Sequence, residues 1–332
     1  VTFAPVSDSL GGMDRLDREI LHALYVDGRA PFNRVAAVLG VSDRTVARRY
    51  RVMRESGVLR VVGGPAPGRF GRTTWVVRLE CAPGASVAVA EALGRREDTQ
   101  WVRIASGGTE VLCTVHGDDA DREALLLDRL PATRPVTAIS AHCVLRSFKG
   151  GGPDWQPVAS VLTADQVRAL EPPPVVPSVV PSVGALDAID RILLAELALD
   201  GRATPAALAR ATGRDESTVR RRITALRTSG VLVLDLDVDQ RALGLGFTAL
   251  LWLTVEPAHL TTVCTALASH EETAFTAATT GPTNILASAV TADPDACFTY
   301  LTDRIAPLPG IHALRTTPIL RTVKRTGPAT PR

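Results

Sequence analysis

The sequence predicts an α+β protein in which a small helical domain and a mixed sheet-and-helix domain alternate twice. Three observations carry that reading. The stretch at residues 40–59, GVSDRTVARRYRVMRESGVL, recurs at 213–232 as GRDESTVRRRITALRTSGVL, and the two align without a gap. After each copy the apolar residues change from helical spacing to the alternation of strands. A tract rich in Pro and Gly, residues 150–184, lies between the two runs.

Bulk properties narrow the function classes. A chain of 332 residues is longer than one average domain. Hydrophobic residues make up 45%, which suits packed cores. The formal net charge of +2 rules out a uniformly basic nucleic-acid coat, so any such role rests on local clustering. The five cysteines, Cys81, Cys113, Cys143, Cys264 and Cys297, are scattered and form no CxxC pair. That pattern fits a reducing compartment and argues against a disulfide framework or a zinc module. The six histidines show no ligand spacing, so neither metal nor cofactor is expected. The first residues lack the basic-then-apolar order of a secretion signal. No apolar run reaches the roughly 18 residues of a membrane helix. The expectation is a soluble, cytoplasmic protein with no membrane partner.

The repeat extends well beyond the opening stretch. LDREILHALYVDGRA from Leu16 matches IDRILLAELALDGRA from Ile189. SGGTEVL from Ser106 matches TGPTNIL from Thr280, and CVLRSFK from Cys143 matches PILRTVK from Pro318. One ancestral repeat is present twice. The expected domains are a winged helix-turn-helix at 1–62, a ferredoxin-like domain at 63–149, a linker at 150–184, a second winged helix-turn-helix at 185–236, a second ferredoxin-like domain at 237–326 and a tail at 327–332. The linker opens GGGP and contains PPPVVPSVVPSV, a density of proline that favours extended geometry and a semi-rigid spacer. Within it LTADQVRALE has the pattern of one short helix.

Each element follows from local chemistry. Leu16, Ile20, Leu21 and Leu24 recur at helical spacing, and Gly28 stops that helix. A second helix spans 31–39, with Pro31 in its first turn and Gly40 at its end. Ser42 caps a third helix that runs to about residue 55. Three short helices with a tight turn before the last are the helix-turn-helix pattern, and the β-branched run at 58–62 suits a wing strand. Strand, helix, strand, strand, helix and strand then follow, from Trp75 to Phe148, which is the split βαβ order of a ferredoxin-like fold. The second copy repeats the series from 187 to 324.

The third helix of each copy carries the chemistry. Val46, Tyr50 and Met53 form its buried stripe, and at 100° per residue Arg44, Arg48 and Arg51 fall on the other side, with Arg49 at the flank. In the second copy Val219, Ile223 and Leu226 are the stripe. Ser217, Arg221 and Thr224 face out, with Arg220 and Arg222 to either side. Solvated arginine faces are common, but neither helix contains Lys, few acids offset the charge, and both are second helices of a helix-turn-helix. Arginine presents a planar fork that matches phosphate and guanine edges. The expected partner is double-stranded DNA, contacted by Ser42, Arg44, Thr45, Arg48, Arg49 and Arg51, and by Ser217, Thr218, Arg220, Arg221, Arg222 and Thr224.

These motifs resemble the Lrp/AsnC family, the feast/famine transcription regulators of bacteria and archaea. The resemblance rests on LDREIL and IDRILL, on the DGRA before each second helix, and on the GVSDRTVARRY turn and helix. SGVL at each wing, VDQRALGLGF from Val238, TGPTNIL and the closing LRTVK complete it. It implies a winged helix-turn-helix joined to a ferredoxin-like ligand-binding domain, called RAM, in each copy. Family members usually carry one such pair of domains and associate through RAM sheets, so this chain looks like a fused tandem member. The implied assembly is an intramolecular pseudo-dimer, with homo-oligomers through RAM sheets.

The family binds an effector near the loop between the second and third RAM strands. The matching residues here are Gly107, Gly108, Thr109 and Glu110 in the first copy, and Thr280, Gly281, Thr283 and Asn284 in the second. Glycines let a ligand carboxylate approach backbone amides, and an acid holds an α-amino group. The first copy supplies Glu110 for that purpose, whereas the second has the uncharged Asn284. An amino acid or a small metabolite is the expected effector; an ordinary hairpin turn accounts for the same residues equally well. Two further alternatives stay open. The sirohaem decarboxylases resemble this family and are sometimes built from two such repeats, but His116, His142, His259, His270 and His312 do not match between the copies. The other is an assembly module with a degenerate DNA-binding half.

Overall fold

In the computed structural model, the described residues are 13–65, 73–116, 123–150, 161–172 and 186–326. The expectations for the proline tract beyond residue 172 and for the tail at 327–332 lie outside them. In chain order the α-helices are α1 (Arg15–Val26), α2 (Phe32–Leu39), α3 (Asp43–Glu55), α4 (Ser86–Gly94), α5 (Ala164–Leu170), α6 (Ala188–Leu199), α7 (Pro205–Thr212), α8 (Glu216–Thr228), α9 (Leu260–Ser269) and α10 (Pro294–Tyr300), and wider π-helical turns span Ala124–Arg129 and Leu301–Ile305. The strands are β1 (Leu59–Pro65), β2 (Trp75–Cys81), β3 (Thr99–Ala105), β4 (Glu110–Val115), β5 (Val136–Lys149), β6 (Leu232–Val238), β7 (Phe247–Val255), β8 (Thr273–Thr279), β9 (Ile285–Thr291) and β10 (Ile311–Lys324). They form two bodies, each drawing on both copies. No described helix is long and apolar enough to cross a membrane.

The first body holds both helix-turn-helix domains. Asp14 caps α1 by accepting the Asp17 N–H at 2.9 Å, and Ser42 caps α3 by accepting the Thr45 N–H at 3.1 Å. Each such cap is worth about 1 kcal/mol. Gly40 ends α2 with φ at 69°, a left-handed residue that suits glycine. Ile20, Leu21 and Leu24 are buried against Val35, Val46, Tyr50 and Met53, so the helical stripes close one core. Leu193, Leu197, Leu208, Val219, Ile223 and Leu226 close the second.

The wings pair with each other. β1 and β6 run antiparallel, from Leu59 opposite Val238 to Pro65 opposite Leu232. The expected domain ends at 62 and 236 therefore fall inside strands, because a partner wing extends each one. The repeated DGRA sits beside this ribbon and works reciprocally. Arg29 donates to the carbonyls of Gly201 and Ala203 at 2.7 and 3.0 Å. Arg202 donates to those of Gly28 and Ala30 at 2.7 and 2.9 Å. The glycine of the motif allows the approach: a Cβ on Gly201 would lie 2.9 Å from Val61 Cγ1. Flanking ion pairs join Arg227 to Asp27 at 2.6 Å and Arg54 to Asp200 at 3.0 Å.

The linker expectation needs correction over 161–172. LTADQVRALE does form a helix, α5, but it is part of the first core rather than a free spacer. Leu162 and Leu170 are buried there. The Leu162 N–H donates to His22 Nδ1 at 3.0 Å, Gln166 donates to the Val38 carbonyl at 3.1 Å, and Arg34 donates to the Ala169 carbonyl at 2.9 Å. The signal for docking was present in the apolar ends of the segment, Leu162 and Leu170, but their partners are remote in sequence.

The second body contains both ferredoxin-like domains. In each, the strand order is second, third, first, fourth: β3-β4-β2-β5 and β8-β9-β7-β10. The fourth strand of each then pairs with the second of the other, β5 with β8 and β10 with β3, so the eight strands close into one barrel. The seams obey the repeat: Arg103 lies opposite Thr322 as Ala277 lies opposite Ser147. Closure leaves this barrel without a sheet edge to offer. The sheet pairing expected between chains is thus met within one chain. Helices cover the outer face of each sheet over Val77 and Leu79 or Leu251 and Leu253. Inside, Val76, Ala105, Leu112, Leu250, Trp252 and Leu286 pack between the two sheets.

Candidate nucleic-acid interface and effector loops

Helix α3 presents Arg44, Arg48 and Arg51 as exposed side chains, and among the described residues none of the three has a carboxylate partner. Val52, 55% exposed, continues the line of Arg44 and Arg48 one turn on. It was not singled out from the sequence, although an apolar residue outside the buried stripe is the signal; such a side chain suits contact with a thymine methyl. On α8 Ser217, Arg220, Arg221 and Thr224 are exposed, as are Glu216 and Ala225. Arg220 pairs with Glu216 one turn back at 3.1 Å, and Arg221 has no carboxylate partner among the described residues.

Two of the arginines expected on the DNA side point inward instead. Arg49 Nη1 lies 2.6 Å from Asp14 and 3.2 Å from Asp17. Arg222 Nη1 lies 2.8 Å from Asp187 and 2.9 Å from Asp190. Each ties its helix to the start of the first helix of its own domain. The hydrogen bond from the Asp190 N–H, then that from Arg222, hold the Asp187 carboxyl below the usual range. Burial pushes Asp17 up despite its arginine. The flank position on the helical wheel allowed either direction, and acids three residues apart at the distant helix start decided it.

Four of the hydroxyls expected at the interface, those of Ser42, Thr45, Ser217 and Thr218, serve the turns, whereas Thr224 donates to the Arg220 carbonyl one turn back at 3.0 Å. Ser42 Oγ, the cap of α3, sits 2.8 Å from Thr45 Oγ1. Asp215 caps α8 by accepting the Thr218 N–H at 2.8 Å, and it also accepts the Ser217 and Thr218 hydroxyls at 2.5 and 2.8 Å. These bonds, the one from Ser217 first, hold the Asp215 carboxyl far below the ordinary carboxylate value. The cap therefore stays charged, which suits a helix N-terminus.

The loops expected to hold an effector are also committed internally. Gly107 and Gly108 take left-handed φ values of 69° and 95° in a tight turn. Glu110, however, is buried, pairs with Arg78 and accepts the Ser106 hydroxyl at 3.2 Å. Thr109 donates to the Ser106 carbonyl at 2.9 Å. In the second copy Asn284 bridges both backbone groups of Val255, accepting its N–H at 2.9 Å and donating to its carbonyl at 2.7 Å. Thr280 accepts the Cys143 N–H at 2.9 Å through its hydroxyl, and its carbonyl lies 2.9 Å from His142 Nδ1. Gly281 lies so close to that ring that a Cβ would be 2.4 Å from Nδ1. Thr283 accepts the Thr279 hydroxyl at 3.3 Å. The expectation that Glu110 grips an α-amino group is thus corrected: its charge is already spent on Arg78. Sequence spacing placed these residues in the loop but said nothing of the strand facing it.

Comparison with known proteins places this geometry. A profile described as the AsnC-type helix-turn-helix domain matches residues 13–54 and 186–227, and one described as the Lrp/AsnC ligand binding domain matches 248–329. The chain is similar to the HTH-type transcriptional regulator FL11 of Pyrococcus abyssi, 32% identical over 143 residues, which are 43% of this chain and 94% of that protein. FL11 of Pyrococcus horikoshii is 31% identical over 142 residues, 42% of this chain and 93% of that protein. Among solved structures, the siroheme decarboxylase NirDL in co-complex with an iron-uroporphyrin III analogue aligns with a TM-score of 0.61 at 14% identity. That alignment covers 95% of this chain and 93% of that one, and it is a likeness of fold.

Proposed function

Because the chain belongs to the Lrp/AsnC family of transcriptional regulators, we propose that its two helix-turn-helix domains read one operator whose halves differ in sequence. The observation that carries this is the contrast between the outward faces of α3 and α8. Three arginines without carboxylate partners stand on one; on the other, a single such arginine lies between Ser217 and Thr224. Arginine forks suit guanine edges and phosphates, whereas hydroxyls accept several bases. Joining both readers in one chain makes the second contact intramolecular and raises its effective concentration. The regulator works in the cytoplasm on double-stranded DNA. An amino acid or small metabolite modulates it through the RAM domains, by way of the backbone N–H groups of the loops at Gly107, Gly108 and Gly281. Further copies associate through surfaces other than the closed sheet edges. A regulatory rather than enzymatic role is supported by the relatives and by the arginine faces; tetrapyrrole absorbance in the purified protein would favour the enzyme.

Fluorescence anisotropy against a fragment upstream of the chain's own gene tests the reading. Arg48→Ala and Arg221→Ala should each weaken binding by about 1–3 kcal/mol and lower the salt slope by about one. Arg49→Ala should instead lower the thermal midpoint, since it breaks an internal brace. Unchanged affinity in both Arg48→Ala and Arg221→Ala would overturn the assignment.

A further inference from the structure

Arg103 is a guanidinium that the contacts described so far leave without a purpose. It stands on β3, opposite Thr322 of β10 and Leu112 of β4, and it is half-buried. Its contact among the described residues is aromatic: Cζ lies 4.8 Å from the centroid of the Trp101 ring. No described carboxylate pairs with it. The charged group that acts on it is a second cation, Arg325, and burial together with that repulsion pushes its pKa down to about 10. A guanidinium partly withdrawn from water beside another cation is unfavourable as it stands. An anion placed between the two would reverse the sign of that interaction.

The backbone around it is irregular as well. Trp101 adopts a left-handed φ of 50°, at a bulge where β3 slips register against β4 between Gln100 and Arg103. Its N–H donates to the Arg325 carbonyl at 3.2 Å, which ties the end of β10 to the bulge. An aromatic residue in this conformation is strained, and bulges commonly re-aim side chains at ligand sites. The indole contact holds the guanidinium beside the bulge, and among the described residues no side-chain hydrogen bond of Arg103 competes with a planar acceptor.

The second copy supplies an internal control. By the shared register Ala277 takes the place of Arg103, opposite Ser147 and Leu286. Phe275 takes the place of Trp101, and Gly150 that of Arg325. There the space is filled by Phe275 itself, whose Cδ2 would lie 2.5 Å from a Cβ on Gly150. The barrel therefore closes equally well with an apolar filling, and the fold does not require the cationic version.

We propose that Trp101, Arg103 and Arg325 form a binding site for an oxyanion, the carboxylate or phosphate group of a small metabolite, at the seam where β3 of the first RAM domain meets β10 of the second, and not at the matching seam of β8 with β5. This goes beyond the operator reading and does not depend on it.

Titration calorimetry and thermal shift on the full chain test the site, at constant ionic strength, with inorganic phosphate, succinate and the neutral succinamide. Saturable binding of phosphate or succinate, and none of succinamide, is expected; which acid binds more tightly identifies the group. Arg103→Ala should weaken that binding at least about tenfold. Its thermal midpoint should stay near that of the wild type, as Ala277 at the matched position implies. Arg103→Lys keeps the charge but loses the fork and should fall between the two. Arg48→Ala, altered in the DNA reader, should bind the acid as the wild type does, so failure here is distinct from failure of the operator reading. No saturable binding of either acid, or equal affinity in wild type and Arg103→Ala, would overturn the site.

Discussion

Neighbouring arginines on one helix turn out to do opposite work. Arg48 is exposed without a carboxylate partner among the described residues, whereas Arg49, one residue on, is held by Asp14 and Asp17. Helical periodicity made the outward and buried sides legible, because 100° per residue needs no tertiary knowledge. Flank positions were not legible, since their direction depends on acids some thirty residues away in sequence. His22 illustrates the same limit and yields a prediction. Its Nδ1 accepts the Leu162 N–H, and burial pushes its pKa below the ordinary value. The folded state thus favours the neutral ring. The stability this contributes is complete above about pH 6.5, the unfolded value, and is lost as pH falls through the lowered folded value. His22→Asn keeps an acceptor near that position without titrating. The difference in thermal midpoint between the two proteins should change between about pH 7.5 and about pH 5, with the wild type losing ground in acid. A pH-independent difference would contradict the role given to His22.

Among the elements, the most informative is the loop after α1 and its twin after α6. DGRA was visible as a repeated tetrapeptide, but a repeat within a chain does not say that the two copies touch. In the structure they do, and each arginine satisfies two carbonyls of the other loop. Arg202 also lies 4.2 Å from the centroid of Phe32, so the clasp carries packing as well as hydrogen bonds. Arg202→Ala leaves the carbonyls of Gly28 and Ala30 without these donors, which should cost about 1–3 kcal/mol in chemical denaturation. Arg202→Lys should recover little, because an ammonium cannot span both carbonyls as the planar fork does. A wild-type midpoint for Arg202→Lys would show that charge alone, not the fork, holds the two loops. The wing strands were legible as β-branched runs. Their mutual pairing was not, for the same reason that the docking of α5 was not: strand and helix patterns specify a face, and the partner comes from elsewhere in the chain.

At the scale of the whole molecule, the duplication was the most legible feature, and it fixed the fold class before any coordinate was known. Alternation of apolar residues gave the succession of strands and helices along each ferredoxin-like domain. Closure of the two sheets into one barrel followed only from the structure, since edge pairing is a matter of hydrogen bonds that composition does not record. Duplication also freed the copies to diverge where a homodimer's identical chains cannot. Arg103 against Ala277 is one such place, and the outward faces of α3 and α8 are another. The central claim is that these faces make two unlike readers in a single regulator. Selection of bound duplexes from a genomic library, followed by footprinting of the recovered site, tests it most directly. Two half-sites of different sequence are predicted, with Arg44, Arg48 and Arg51 setting one and Ser217, Arg221 and Thr224 the other. A perfect palindrome bound with equal affinity at both halves would contradict it.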